Sequence, residues 1–261
     1  MEAIYDKIGE GYDTTRKVDT EILSTLSKLL DIEAGKNYLD IACGTGNYTN
    51  RISRFGGNWF ACDGSEKMLS EARLKSSDIK WEKSEVSDLG YDSDFFDGAI
   101  CSLAIHHFSD LTRPFCAISR VLKAGSNFVI LTSTPAQMQS YWLNRYFPVM
   151  MEKSCEQMPS LEVVESALVK SSFSIKTTVP FFITPDLKDF FLYSGKQRPE
   201  MYLSNDVRNG ISSFHNFCSQ SELDQGLEEL QRDITSGDIK SVMESYQSKN
   251  GDYLFICATT R

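Results

Sequence analysis

Apolar residues recur at helical spacing over residues 19–31, where Ile22, Leu23, Leu26, Leu29 and Leu30 share one face. A short apolar strand follows at 37–42 and runs into the turn Cys43-Gly44-Thr45-Gly46, from which a helix leaves over 47–55. The pattern repeats with a second strand at 58–62, ending at Asp63. Ser65 is then placed to cap a helix to about residue 75, with Met68 and Leu69 inward. A third strand is expected at 79–81. A fourth at 96–103 is apolar on both faces, as in a strand buried between two layers. A helix over 113–122 with Gly125 as its stop, and a fifth strand at 127–133, complete this half. Strands alternating with helices at this spacing predict parallel β–α–β units in a doubly wound α/β sheet.

The rest of the chain departs from that alternation. Residues 135–158 concentrate aromatics and methionines: Met138, Tyr141, Trp142, Tyr146, Phe147, Met150, Met151 and Met158. A helix is predicted at 161–170, a strand at 174–183, mostly helix over 186–246, and a last apolar strand at 252–259. The expected organisation is a ligand-binding core with N-terminal helices over 1–134, a cap insertion at 135–160 and a core helix and strand at 161–183. A helical cap or substrate region at 184–250 and the last core strand at 251–261 follow. The inserted helices either form a lid over a pocket at the strand ends or simply thicken the core.

Composition narrows the class. The 261 residues suffice for one large domain or a core with an insertion. Apolar residues make up 41% and charged residues 24%, as in a globular protein. With 27 Lys and Arg against 36 Asp and Glu the formal charge is −9, which disfavours nucleic acid as a partner. The seven scattered cysteines contain no C-x-x-C pair, so neither a disulfide framework nor a metal site is expected. No signal-peptide pattern or membrane span is apparent, and a cytoplasmic location is expected.

The turn at 43–46 carries the first chemistry. Gly44 and Gly46 let backbone amides approach a ligand, and Asp63, about twenty positions on, suits a ribose hydroxyl pair. A nicotinamide dinucleotide would call for Gly-x-Gly-x-x-Gly, but Thr49 occupies the third glycine's position.

Five segments in order resemble the class I S-adenosylmethionine-dependent methyltransferases, over residues 30–133 and, in outline, 161–183 and 252–260. The first motif stands as Asp40-Ile41-Ala42-Cys43-Gly44-Thr45-Gly46, with Ala42 where the family has its first glycine. The ribose-binding acid matches Asp63. The Gly-Asp-Ala-Glu segment matches Ser84-Glu85-Val86-Ser87, which makes Glu85 the reader of the adenine amino group. Phe96-Asp97 and Leu122-Lys123-Ala124-Gly125-Ser126 match the segments opening the fourth and fifth strands. The resemblance implies a Rossmann-like sheet of seven strands, mostly parallel with the last antiparallel, with helical cap insertions. It implies S-adenosylmethionine as cofactor, held by Tyr12, Arg16, Asp40, Ala42, Cys43, Gly44, Gly46, Asp63, Gly64, Met68, Ser84, Glu85, Val86, Ser102 and His107. Tyr5-Asp6 and Gly11-Tyr12-Asp13 followed by Arg16 resemble the family's entry helix, where aromatics close over the cofactor and an arginine meets its carboxylate. The alternative there is a solvated helix with a surface arginine.

Methyl transfer needs alignment and exclusion of water, and a base only for a protonated acceptor. The segment Ser102-Leu103-Ala104-Ile105-His106-His107 would lie beside the reacting centre. Its two histidines, of three in the chain, are the candidate catalytic residues. An unperturbed imidazole, with a pKa near ~6.5, suits proton removal. Cyclopropane synthases of the same superfamily carry an acid in the slot of His106, which favours that residue for facing the substrate. The other reading is that both histidines hold the loop. Tyr5, Trp142, Tyr146, Arg198, Tyr202 and Arg208 are the expected substrate-binding residues. The arginines alternatively pair with Glu200 and Asp206 at the surface. The expected function is methyl transfer to a small organic molecule, oxygen before nitrogen or carbon, of the kind linked to secondary metabolism, with the assembly left open between a monomer and a homodimer. The alternatives are a non-catalytic cofactor-binding partner and a macromolecule methyltransferase. Ser102 to Ile105 lack the proline pair used for exocyclic amines.

Overall fold

The computed structural model describes residues 12–261. Seven strands form one sheet in the order β3-β2-β1-β4-β5-β7-β6. They are β1 (Asn37–Ile41), β2 (Asn58–Asp63), β3 (Lys80–Lys83), β4 (Phe96–Ser102), β5 (Leu122–Thr132), β6 (Phe173–Phe181) and β7 (Tyr253–Thr260). β1 to β5 pair in parallel, and β7 runs antiparallel between β5 and β6. Strand order reverses between β1 and β4, so their carboxyl ends splay apart and open a crevice, the usual ligand position in such sheets. The expected topology, including the antiparallel last strand, is the observed one.

Helix α1 (Thr20–Leu30) begins where the Asp19 carboxylate accepts the Glu21 and Ile22 amides, and buries Ile22, Leu23, Leu26 and Leu30 against the sheet. Helix α2 (Asn47–Ile52) leaves the glycine turn, and α3 (Glu66–Lys75) starts at Ser65, whose hydroxyl accepts from the Met68 amide. Helices α4 (Thr112–Val121) and α8 (Leu161–Lys170) cover the other face. Between β5 and α8 run α5 (Pro135–Met138), α6 (Leu143–Tyr146) and α7 (Pro148–Gln157). After β6 come α9 (Asn205–Asn209), α10 (Ser212–Phe217), α11 (Gln220–Ser236) and α12 (Ile239–Ser245).

Several boundaries move. The fifth strand starts at Leu122 rather than 127, directly after the fourth helix ends at Val121, because Leu122 turns extended, pairs with Phe96 and is buried. Gly125 therefore lies within β5 rather than stopping the helix. The third strand lies at 80–83 rather than 79–81, in register with Phe60 to Asp63 of β2. Residues 184–198 are turns rather than helix, held by a bridge between Arg16 and Asp189 and by the Phe190 amide donating to the Thr15 carbonyl. All seven cysteines are free. Among the described residues no helix is long and apolar enough to cross a membrane.

Candidate active site

The crevice at the β1/β4 reversal continues into a cavity of about 350 Å³. One wall is the end of β1 and the turn beyond it. The Cys43 amide donates to the Cys62 carbonyl, the Gly46 amide to the Cys43 carbonyl, and the Gly44 amide to Asp63 Oδ2 at 2.8 Å. Asp63 Oδ1 accepts the Ser65 amide at 2.8 Å, so one carboxylate ties the glycine turn to the start of α3. Gly44 and Gly46 have φ of +56° and +70°, the left-handed region where a side chain is strained. A Cβ on Gly46 would also run into the Trp81 ring. Gly46→Ala is therefore expected to lower stability by about 2 kcal/mol or more, read as a lower urea midpoint at unchanged m-value. Ala42 and Leu103 have φ of +54° and +53° without being glycine. They sit at the ends of adjacent strands and both line the cavity, so backbone strain is stored beside the site.

Of the residues expected around a cofactor, Arg16, Asp40, Ala42, Cys43, Gly44, Asp63, Gly64, Met68, Ser84, Glu85, Val86, Ser102 and His107 line this cavity. Gly46 does not; it shapes the turn from behind, against Trp81 and Ala72. Tyr5 lies outside the described residues, as does the Tyr12 side chain. Arg16 is engaged by Asp189, Nε to Oδ1 at 2.5 Å, and Tyr48 donates to the same carboxylate at 3.2 Å. Asp13, for which no separate role was expected, accepts from Thr45 and Asn47 and pairs with Lys75 at 2.5 Å. Burial alone would raise its pKa, but these partners hold it below the usual carboxylate range. The segment after residue 12 thus pins the glycine turn through Asp13 and the 184–198 loop through Arg16.

Asp40 lies beneath the turn, almost inaccessible, accepting from the Thr49 hydroxyl at 2.6 Å. Burial, opposed by that hydrogen bond and reinforced by the Asp63 charge, pushes its pKa up to about 7. Burial also raises Asp63, partly offset by the Ser65 and Gly44 amides.

The histidines do not have the ionisation expected of them. Burial drives His106 well below the ordinary imidazole range, helped by His107 and Arg16, and lowers His107 to about 4. The rings lie 3.9 Å apart. Both are neutral at pH 7 and poor proton acceptors, which corrects the expectation of a poised base.

The substrate-binding expectation is also corrected in its particulars. The 135–160 insertion and the 184–250 region both reach the cavity, but through Met138, Ser154, Gln157, Met158, Phe191, Leu192 and residues 210–213. Trp142, Tyr146 and Tyr202 pack on one another in the core of the helical layer, with ring centroids 5.5–5.9 Å apart in the Trp142 pairs. Their polar atoms are spent internally: Trp142 donates to the Lys196 carbonyl, Tyr146 to Asp233 and Tyr202 to the Leu192 carbonyl. Arg208 is buried and donates to the Tyr202 carbonyl at 2.5 Å and to Asn205. Arg198 donates to the Leu187 carbonyl and lies over Phe190. Neither lines the cavity, and no ion pair joins them to Glu200 or Asp206 among the described residues. Asp189, Tyr48 and Gln157, which do line it, carry no local sequence signal.

A glycine turn clamped by the second strand's terminal acid, opening into a capped cavity at the reversal of a seven-stranded sheet, defines an α/β protein built for a nucleoside-bearing ligand. The family model described as "Methyltransferase domain" matches residues 39–130. A solved structure from Anabaena variabilis ATCC 29413, named as a methyltransferase from an antibiotic biosynthesis pathway, superposes with a TM-score of 0.82 at 30% identity. That match covers 95% of this chain and 99% of the other. The chain therefore belongs to the class I S-adenosylmethionine-dependent methyltransferase family. A demethylmenaquinone methyltransferase from Corynebacterium kroppenstedtii is 30% identical over 138 residues, 51% of this chain and 59% of that protein. The chain thus spans less than two thirds of the length of that curated relative. Geranyl diphosphate C-methyltransferase from Streptomyces coelicolor A3(2), solved with Mg2+, geranyl diphosphate and S-adenosyl-L-homocysteine, shares the fold at a TM-score of 0.59 and 15% identity. There the match covers 93% of this chain and 79% of that one.

Proposed function

We propose that the protein transfers the methyl group of S-adenosylmethionine to a small organic acceptor, through oxygen before nitrogen or carbon, under the layer formed by α5–α7 and residues 184–217. The observation that carries this is one continuous cavity, running from the glycine turn past the end of β4 to the helical layer. Its residues fit the cofactor. Five carboxylates, Asp40, Asp63, Glu85, Asp110 and Asp189, line the cavity against two guanidiniums, Arg113 and Arg16, the latter already paired with Asp189. That balance suits a cation and opposes a pyrophosphate. Thr49, buried and bonded to Asp40, fills the place where a dinucleotide fold needs glycine.

When bound, the cofactor supplies an activated methyl group on a sulfonium. The protein's part is placement. Asp63 fixes the turn and offers its remaining lone pairs to ribose hydroxyls, and Glu85 stands with Ser84 and Val86 at the adenine end. Met138, Met158, Phe191 and Leu192 form an apolar and adaptable wall for the acceptor and keep water out. The demethylmenaquinone relative supports a small-molecule acceptor. Calorimetric titration of the full chain with S-adenosylmethionine and S-adenosylhomocysteine is expected to show micromolar-range binding of both. Absence of heat with either ligand, in a protein folded by circular dichroism, sinks the proposal.

A further inference from the structure

The two nitrogens of His106 have different surroundings. Nδ1 is sealed from solvent and meets no hydrogen-bond partner among the described residues. Nε2 is not sealed in this way, and the residue lines the cavity, so Nε2 is the nitrogen left to reach it. A neutral imidazole places one proton on one nitrogen. A proton on Nδ1 would be a buried donor without an acceptor, at a cost of about 1–3 kcal/mol. A bare lone pair there is the more tolerable defect. We infer that His106 is held with its proton on Nε2 and donates a hydrogen bond into the cavity, which selects a methyl acceptor that enters with an ionised oxygen, a phenolate or enolate.

The same geometry removes His106 as a base. To take a proton on Nε2 it would first need the Nδ1–H form, and the resulting cation would leave that N–H buried and unpaired. The groups around it oppose charge as well: the His107 ring at 3.9 Å and the Arg16 guanidinium, whose partner carboxylate is Asp189. The acceptor therefore loses its proton to bulk water before entering. Its oxygen lone pair forms the O–C bond as the S–C bond breaks, the S–C pair returns to sulfur, and no proton passes to the protein. His106 is the oxygen's anchor, and this assignment rests on the methyl-transfer reading above.

The chain's three histidines make the test direct. Nitrogen-15 NMR of the histidine-labelled full chain, assigned with His107→Asn and His215→Gln, is expected to show His106 with a bare Nδ1 and protonated Nε2, unchanged from about pH 6 to 8. With S-adenosylhomocysteine bound, 4-nitrophenolate is the probe. It is expected to shift the His106 Nε2–H signal and to bind about tenfold more weakly to His106→Ala. His106→Gln, whose amide can donate in place of Nε2–H, should recover most of that loss. A proton on Nδ1, an imidazolium near neutrality, no phenolate-induced shift in the wild type, or equal phenolate binding by His106→Ala each overturns the inference. Failure of S-adenosylhomocysteine itself to bind overturns the methyl-transfer reading instead, and the tautomer of His106 is read independently of it.

Discussion

Asp63→Ala is expected to weaken binding of S-adenosylhomocysteine roughly ten- to 150-fold, the equivalent of about 1.5–3 kcal/mol for one charge-assisted hydrogen bond. Two effects act in the same direction. The carboxylate is the group offered to the ribose. Its two oxygens also accept the Gly44 and Ser65 amides, each at 2.8 Å, so its removal releases the turn and frees the start of α3. Two partly buried N–H groups lose their acceptor, and the melting temperature should fall as well. Calorimetry separates these contributions: Asp63→Asn keeps one oxygen and the side-chain volume, so it should recover part of the stability and less of the affinity. Wild-type affinity in Asp63→Ala would mean that the ligand does not sit in this turn.

What the chain discloses about this site follows from how local each feature is. The strand, turn and helix around residues 37–52 are dictated within about fifteen positions by apolar alternation and two glycines, and Asp63 and Ser65 follow from the same logic one unit later. These residues were legible because their roles depend on backbone geometry that neighbours in sequence impose. The acceptor side was not. Trp142, Tyr146 and Tyr202 match a pocket in composition, but aromatics bury one another as readily as they surround a ligand, and only tertiary packing decides which. Arg198 and Arg208 show the same ambiguity for cations, because long side chains can turn inward to backbone carbonyls. Asp189 enters the site from an irregular loop with no pattern, brought there by pairing with Arg16 across 173 positions. The neutrality of His106 and His107 is equally non-local, since it comes chiefly from burial, with Arg16 brought near His106 only by the fold.

Burial also produces the second large effect, at Asp40. Its folded pKa of about 7 stands above the ordinary carboxylate value of 3.8. A raised acid pKa destabilises the folded state once the group is ionised. Below about pH 4 both states hold the proton and the group contributes nothing. Between about 4 and 7 the unfolded chain releases it while the folded chain retains it, so stability falls as pH rises. Above about 7 the penalty is complete. At ~1.4 kcal/mol per pH unit of separation, Asp40→Asn should stabilise the protein by about 2–4 kcal/mol at pH 8. The amide oxygen can still accept from Thr49, so that bond is kept. Urea denaturation at a series of pH values should show the advantage shrinking steadily as the pH is lowered towards 4. A constant advantage, or a loss at pH 8, would refute the buried-charge account. Ligand binding should respond with the opposite sign. Ionised Asp40 lies in the cavity wall and attracts a cation, so Asp40→Asn should bind S-adenosylmethionine more weakly at pH 8 and approach the wild type in mild acid, where Asp40 is protonated. A residue whose removal strengthens the fold and weakens the ligand, both across one titration, is retained for binding rather than for stability.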